Sequence, residues 1–429
     1  MIGSLRVFLG DLFRTAVAAA HPAACLPPLL PPPPDGRVIL LAAGKAAGSM
    51  AEAAESFYLD RLKLPAARLS GIAVARHGYG RPTRVVRMIE AGHPVPDAAG
   101  LEAADRALDF ADAASAADLV LVLMSGGASA NWIAPADGVS FADKQAVTRA
   151  LLRSGANIGE INTVRKHLSR IKGGRLARHA YPARLVTIAI SDVPGDDPSA
   201  IGSGPTVPDP TTLADARAIV AKFKLELPAA VTRALGDAAN ESPKPGDPVF
   251  AGSPFALAAR PADSLRAAQA AVAAAGYDCI SLGADVEGEA REVAAAHAQL
   301  ARELSAKGAR AVILSGGELT VTMRGQGRGG PNQEYALALA IELAGMPAVA
   351  ALAADTDGTD GGAGNVTDPA GALLDGETVA RAKALGLDPA AFLADNNSTG
   401  FFEALGDLLV SGPTYTNVND FRAIVVDRP

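Results

Sequence analysis

Short apolar runs, each closed by a turn rich in glycine or aspartate, alternate along this chain with alanine-rich segments of helical period. Val38–Ala43 ends at Gly44-Lys45, Leu119–Met124 enters Ser125-Gly126-Gly127-Ala128-Ser129, and residues 185–190 enter Ser191-Asp192. Uninterrupted apolar runs of this length read as strands buried on both faces. Between them the pattern predicts a helix from Lys45 to about Tyr58, further helices at 101–114, 141–155, 213–223 and 229–238, and short strands at 71–75 and 85–89. In the second half it predicts helices at 261–275, 287–307, 333–344 and 377–385, with strands at 279–282, 311–314, 320–323, 349–353 and 423–426. Near the start, Leu5, Phe8, Leu9, Leu12, Phe13 and Val17 share one side of an amphipathic helix. Asp11 and Arg14 interrupt that segment, so it lacks the continuous apolar stretch of a signal peptide.

Strands alternating with helices predict an α/β protein built on a mostly parallel sheet, whose ligands bind beyond the carboxyl ends of the strands. The glycine and aspartate turns fall at those ends. Residues 27–34 hold six prolines and read as a rigid connection. Residues 240–254 are polar, with four prolines, which suggests a boundary: one domain over 1–240, a linking region over 241–260 and a second domain over 261–429. A length of 429 residues suits two or three domains. Hydrophobic residues make up 49% and aromatics 4%, so the cores rest on Ala, Val, Leu and Ile. The net charge of −7 argues against nucleic-acid binding and requires local cations wherever an anion is held. No run of about 20 apolar residues suggests a membrane span. Cys25 and Cys279 show no metal spacing or disulfide framework, which fits a cytoplasmic protein.

Several groups stand out for chemistry. Lys45 follows Gly44 where a helix begins, a position that suits a transferring phosphoryl group. The Ser125, Gly126, Gly127 and Ser129 turn offers small residues and N–H groups to a carboxylate or phosphate. Residues 163–179 form the densest cationic segment, with Arg165, Lys166, Arg170, Lys172, Arg175 and Arg178, and with Gly173-Gly174 bringing backbone N–H groups near an anion. Asp192, Glu318 and Asp355 each follow an apolar run, as do Asp357 and Asp360, and such carboxylates suit Mg²⁺. Arg328 lies in Gly327-Arg328-Gly329-Gly330, a loop from which it can grip phosphate oxygens. Asn332 and Glu334 open the next helix, and His93 sits in the proline-held turn Gly92-His93-Pro94-Val95-Pro96-Asp97.

Taken in order, these stretches resemble the D-glycerate 2-kinases, the class II glycerate kinases with a C-terminal MOFRL domain. The resemblance runs through Ala43-Gly44-Lys45, Asn162-Thr163-Val164-Arg165-Lys166-His167, Ile171-Lys172-Gly173-Gly174-Arg175, Ser191-Asp192-Val193-Pro194-Gly195 and Gly202-Ser203-Gly204-Pro205-Thr206. It continues through Asn332-Gln333-Glu334, Ala354-Asp355-Thr356-Asp357-Gly358 and Thr416-Asn417-Val418-Asn419-Asp420. It implies a Rossmann-like, doubly wound N-terminal domain, a smaller α/β MOFRL domain, and an active site in the cleft between them. It also implies ATP-dependent, Mg²⁺-assisted phosphorylation of D-glycerate to 2-phospho-D-glycerate. Lys45 and Arg328 take the catalytic roles; Asp192, Glu318 and Asp355 are the candidate metal ligands. The expected partners are D-glycerate and ATP, with no nucleic acid or membrane and with a homodimer left open. Two departures stand out. The family's Ser-Gly-Gly-Gly-Ser reads Ser125-Gly126-Gly127-Ala128-Ser129, and its Gly-Gly-Arg-Asn-Gln-Glu reads Gly329-Gly330-Pro331-Asn332-Gln333-Glu334. Relatives are also labelled hydroxypyruvate reductases, but the Gly-x-Gly-x-x-Gly fingerprint of a nicotinamide enzyme is missing after the first strand.

Overall fold

The computed structural model describes residues 2–362 and 365–428. The described chain packs as two units, of which one is Leu26–Ala189 with Asp196–Ala258. Its sheet contains β1 (Val38–Ala43), β2 (Leu69–Arg76), β3 (Arg87–Ala91), β4 (Leu119–Met124), β5 (Arg184–Ile190) and β6 (Phe255–Ala259), in the order β3-β2-β1-β4-β5-β6. Pairing is parallel from β3 through to β5. Every residue of β1 and β4 is buried, as strands covered by helices on both faces require. The strand order reverses direction between β1 and β4, and a doubly wound sheet opens a crevice at that point.

The other unit gathers the first helix, Ile2–Ala19, and Ile190–Gly195 around the C-terminal residues from Ala259. Its six-stranded sheet uses β7 (Asp278–Ser281), β9 (Ala311–Ser315), β11 (Val349–Asp355), β12 (Gly371–Asp375), β13 (Leu408–Leu409) and β14 (Asp420–Val426), ordered β13-β12-β11-β14-β9-β7. A separate short pair joins β8 (Gly288–Glu289) to β10 (Leu319–Thr320). This second sheet is mixed, unlike the parallel one: within it only β7 and β9 run parallel. Among the described residues between β11 and β12 there is no crossover helix of the kind a parallel return needs, and the two strands pair antiparallel.

Packing also divides the chain differently from the expected 1–240, 241–260 and 261–429 blocks. Leu5, Leu9, Leu12 and Phe13 share a core with Leu265, Val272, Leu352 and Phe421, and Ser264 Oγ donates to the Ala16 carbonyl at 2.7 Å. That apolar stripe can be buried only against the C-terminal sheet's layer. Residues 241–258 are not a linker, because the Thr187 N–H donates to the Pro254 carbonyl and Ser242 Oγ donates to Asp209, both at 3.0 Å. No helix among the described residues is long and apolar enough to cross a membrane.

Candidate active site

The ends of β1 and β4 are tied together at the reversal point. The Lys45 N–H donates to the Gly126 carbonyl (2.8 Å), the Ala46 N–H to Ser125 Oγ (2.9 Å), and the Ser125 N–H to the Ala43 carbonyl (3.0 Å). Gly44 has φ +118°, and a Cβ there would lie 2.4 Å from Ser125 O, so only glycine allows the two turns to meet. Ser125 is therefore a brace, fully buried. The N–H groups of Lys45, Ala46 and Ala47 are thereby taken up, the last by the Gly44 carbonyl, and the Lys45 side chain is the turn's cation. Gly127, at φ +84°, is the point of closest approach. A Cβ on it would lie 2.9 Å from His93 Cδ2 and 3.4 Å from Lys45 Cγ. Gly127→Ala is thus expected to cost ~1–3 kcal/mol of backbone strain and to lower kcat/KM at least about tenfold by displacing Lys45 and His93; steady-state kinetics beside a thermal melt would check both.

Two residues further on, a second cationic group converges on Ser129. Arg165 Nη2 donates to Ser129 Oγ at 2.9 Å, and Lys172 Nζ donates to Ser129 Oγ at 2.9 Å and to its carbonyl at 2.7 Å. Ser203 Oγ lies 2.9 Å from the same hydroxyl, on a residue held at φ +64°. Arg165 rides on the helix Ile158–His167, which starts with a capping box between Asn157 and Glu160. Lys144, from the helix Phe141–Arg153, donates to the Arg165 and Leu168 carbonyls and so caps that helix's C-terminal end. Lys144 and Lys172 are 3% and 1% exposed. Burial, then repulsion from Arg165, with Arg175 adding to it at Lys144 and Lys144 at Lys172, holds both lysines well below the usual ammonium range, and burial also lowers Arg165. Among the described residues no carboxylate lies within ion-pair distance of these three cations.

The neighbouring expectations turn out differently. Lys166 is buried and directed 3.6 Å from Asp209, away from this cluster. The Gly173 and Gly174 N–H groups donate to the carbonyls of Ser203 (3.0 Å) and Gly204 (2.7 Å) and so are not left for an anion. Arg165, rather than Lys166, is the cation of that helix at Ser129. Residues one apart on a helix point about 100° apart, and a cationic run alone does not show which of them turns inward.

In the other unit, residues 324–330 pass closely over the 395–398 turn. Cβ atoms on Gly325, Gly327 and Gly329 would overlap Asp395, Asn397 and Ser398, while Arg324, Gln326 and Arg328 alternate outward. Asn396 Oδ1 accepts from the Arg324 and Gly325 N–H groups, and Asn397 Oδ1 from that of Arg328. Arg328 is exposed and pairs with exposed Glu403 at 3.2 Å. Glu334 is not presented to a ligand: it is 2% exposed, accepts from Arg291 (2.7 Å) and Asn396 (2.9 Å), and so steadies the turn beneath the arginine run. Asn332 is also buried, donating to Asp360 and Asp420, with its Oδ1 unpartnered. Burial pushes the Asp360 carboxyl up to about 7 against the N–H groups of Asn332 and Gln333.

Two of the candidate metal carboxylates, Asp192 and Asp355, lie beside 417–420. Asn417 Nδ2 donates to Asp192 (2.7 Å), Asn419 Nδ2 to the Asp192 carbonyl (2.6 Å), and Thr356, next to Asp355, donates its N–H to the Asn419 carbonyl (3.1 Å). Glu318 is exposed beyond β9. Among the described residues no three His, Cys, Asp or Glu side chains form a group that could hold a metal ion by themselves.

Against known proteins, residues 8–236 match a domain of unknown function (DUF4147) and residues 311–420 match the MOFRL family. A D-glycerate 2-kinase of Thermotoga maritima is 37% identical over 422 residues, 97% of each chain. The chain belongs to the glycerate 2-kinase family. A crystal structure of a Thermotoga maritima glycerate kinase superposes with a TM-score of 0.87, covering 99% of this chain and 100% of that one. An Agrobacterium vitis protein with a provisional hydroxypyruvate reductase name is 46% identical over 429 residues, 99% of this chain and 95% of its own. Both departures from the family pattern have a local explanation. Ala128 replaces a glycine but lies inside the short helix Ala128–Asn131, where a Cβ is welcome; the left-handed position, Gly127, stays glycine. Pro331 takes the first position of the helix Pro331–Glu342, where no N–H is needed.

Proposed function

We propose that this chain transfers the γ-phosphoryl group of ATP to O2 of D-glycerate, giving 2-phospho-D-glycerate and ADP. The carrying observation is the placement of Lys45, His93 and the Gly127 turn at the carboxyl ends of β1 and β4, where the strand order reverses. Phosphoryl transfer asks little covalent chemistry of a protein, so positioning and charge stabilisation dominate. Lys45 is assigned to the charge that spreads over the transferring phosphoryl oxygens, and Arg328 keeps the catalytic role that the family resemblance implies. Ser129 and Lys172 are assigned to the acceptor.

Mg²⁺ or a similar cation accompanying ATP would offset the charge of the phosphates. Such an ion needs only one or two carboxylates beside phosphate and water. Asp192 and Asp355, linked through Asn417–Asp420, suit that minimal set; Glu318, exposed beyond β9, is the weaker candidate.

The buried Lys172 makes a pH prediction. An arriving anion favours its ammonium form, so affinity for D-glycerate should fall as pH rises through the depressed pKa of the unliganded lysine. Lys172→Arg should flatten that profile, because arginine stays charged. Calorimetry in buffers of different ionisation enthalpy should show proton uptake on binding. In the unliganded chain, the same shift makes stability rise with pH over that window, since the unfolded lysine holds the extra proton.

The reductase name is disfavoured by the first turn. A nicotinamide cofactor's pyrophosphate would need the N–H groups after β1, and those of Lys45 and Ala46 are held by Gly126 and Ser125. Purified protein should release ADP in proportion to added D-glycerate. Oxidation of NADH by hydroxypyruvate, without ADP release, would overturn the kinase reading.

A further inference from the structure

A buried cluster of cations without a counter-ion is costly, because each loses its hydration shell and repels the others. Arg165 and Lys172 spend this cost at a single hydroxyl, Ser129 Oγ, with Lys144 behind them on the helix end that carries Arg165. A lysine or arginine buried only for packing would be expected to acquire a carboxylate partner, as Lys166 does with Asp209. The side chains beside Ser129 thus have the charge of a site whose missing member is an anion.

The position of the cluster indicates which anion. Gly127, touching Lys45 and His93, and Ser129 are two residues apart at the start of one short helix, about 5–6 Å between Cα atoms. In a 2-hydroxy acid, the carboxylate is bonded to the carbon that bears the reacting hydroxyl. A carboxylate held at Ser129 would present that hydroxyl toward Lys45. The planar guanidinium of Arg165 matches the two oxygens of a carboxylate.

We propose that Arg165, with Lys172 and Ser129, binds the carboxylate of the acceptor and thereby selects a hydroxy acid over a neutral polyol or amide. The inference rests on the kinase reading for the identity of the acceptor. Its test compares wild type, Arg165→Gln and Arg165→Lys with D-glycerate, with neutral D-glyceramide and with varied ATP. In Arg165→Gln, KM for D-glycerate should rise roughly 30-fold or more, the scale of a lost charge-assisted contact. KM for ATP should stay within about twofold, and kcat/KM for glyceramide should not fall. Arg165→Lys should be intermediate, keeping charge without the fork. An unchanged KM for D-glycerate would overturn the proposal, as would a rise confined to ATP, which would assign the cluster to nucleotide phosphate. If Arg165→Gln fails to fold by thermal melt, the same comparison is read from Arg165→Lys. If wild type makes no 2-phosphoglycerate, the kinase reading fails by itself, and calorimetric titration decides the inference separately. Binding heat with D-glycerate but not glyceramide, lost in the Arg165 variants, supports it; equal heats with both overturn it.

Discussion

Lys45→Ala is expected to lower kcat by at least about 10²-fold, the scale of a lost electrostatic contact to a transition state, with the melting temperature nearly unchanged. Structure and chemistry separate at this residue. The backbone of Lys45 ties β1 to β4 through the Gly126 carbonyl, and that bond survives any side-chain replacement. The side chain lies against the Gly127 position with His93. Single-turnover kinetics should therefore show slow chemistry in a well-folded variant. Near-normal turnover would remove Lys45 from the mechanism, and a large fall in melting temperature would make it a structural residue instead.

Arg328→Ala is expected to give a similar loss in kcat, again at least about 10²-fold, and to be almost silent in stability. Arg328 is held by its backbone, its N–H on Asn397 and its carbonyl accepting from Thr399 at 2.9 Å. Among the described residues its side chain pairs with Glu403, in an exposed pair of the kind that contributes little. Glu403→Gln therefore serves as the control. It breaks the same pair and should leave kcat within about threefold. If both variants lost activity equally, the pair, and not the arginine's charge on phosphate, would explain the effect.

Much of this could be read from the sequence because burial leaves a simple mark. β1 and β4 are unbroken apolar runs, and their glycine and serine turns mark the strand ends that bear Lys45 and Ser129. The amphipathic stripe of Leu5, Leu9, Leu12 and Phe13 predicted the first helix. What the stripe packs against, residues more than 240 positions away such as Leu265, leaves no local signal. β12 escaped notice for a related reason: it opens on Gly371, required because a Cβ would lie 1.9 Å from the Ala353 carbonyl, so it lacks the branched residues that mark strands. At the candidate site, residue type was easier to read than direction. Lys166 and Arg165 are equally cationic in sequence, yet one faces Asp209 and the other Ser129. Gly173 and Gly174 looked like anion-binding backbone, but the carbonyls that claim their N–H groups lie some 30 residues further on.

Phosphate is expected on O2 of D-glycerate, and the identity of the product decides this. Purified protein, D-glycerate, ATP and Mg²⁺ should yield a compound that enolase converts to phosphoenolpyruvate without added phosphoglycerate mutase, with a phosphorus NMR spectrum matching 2-phosphoglycerate. A product that enolase accepts only after mutase is added, or no phosphorylated product at all, would contradict the account.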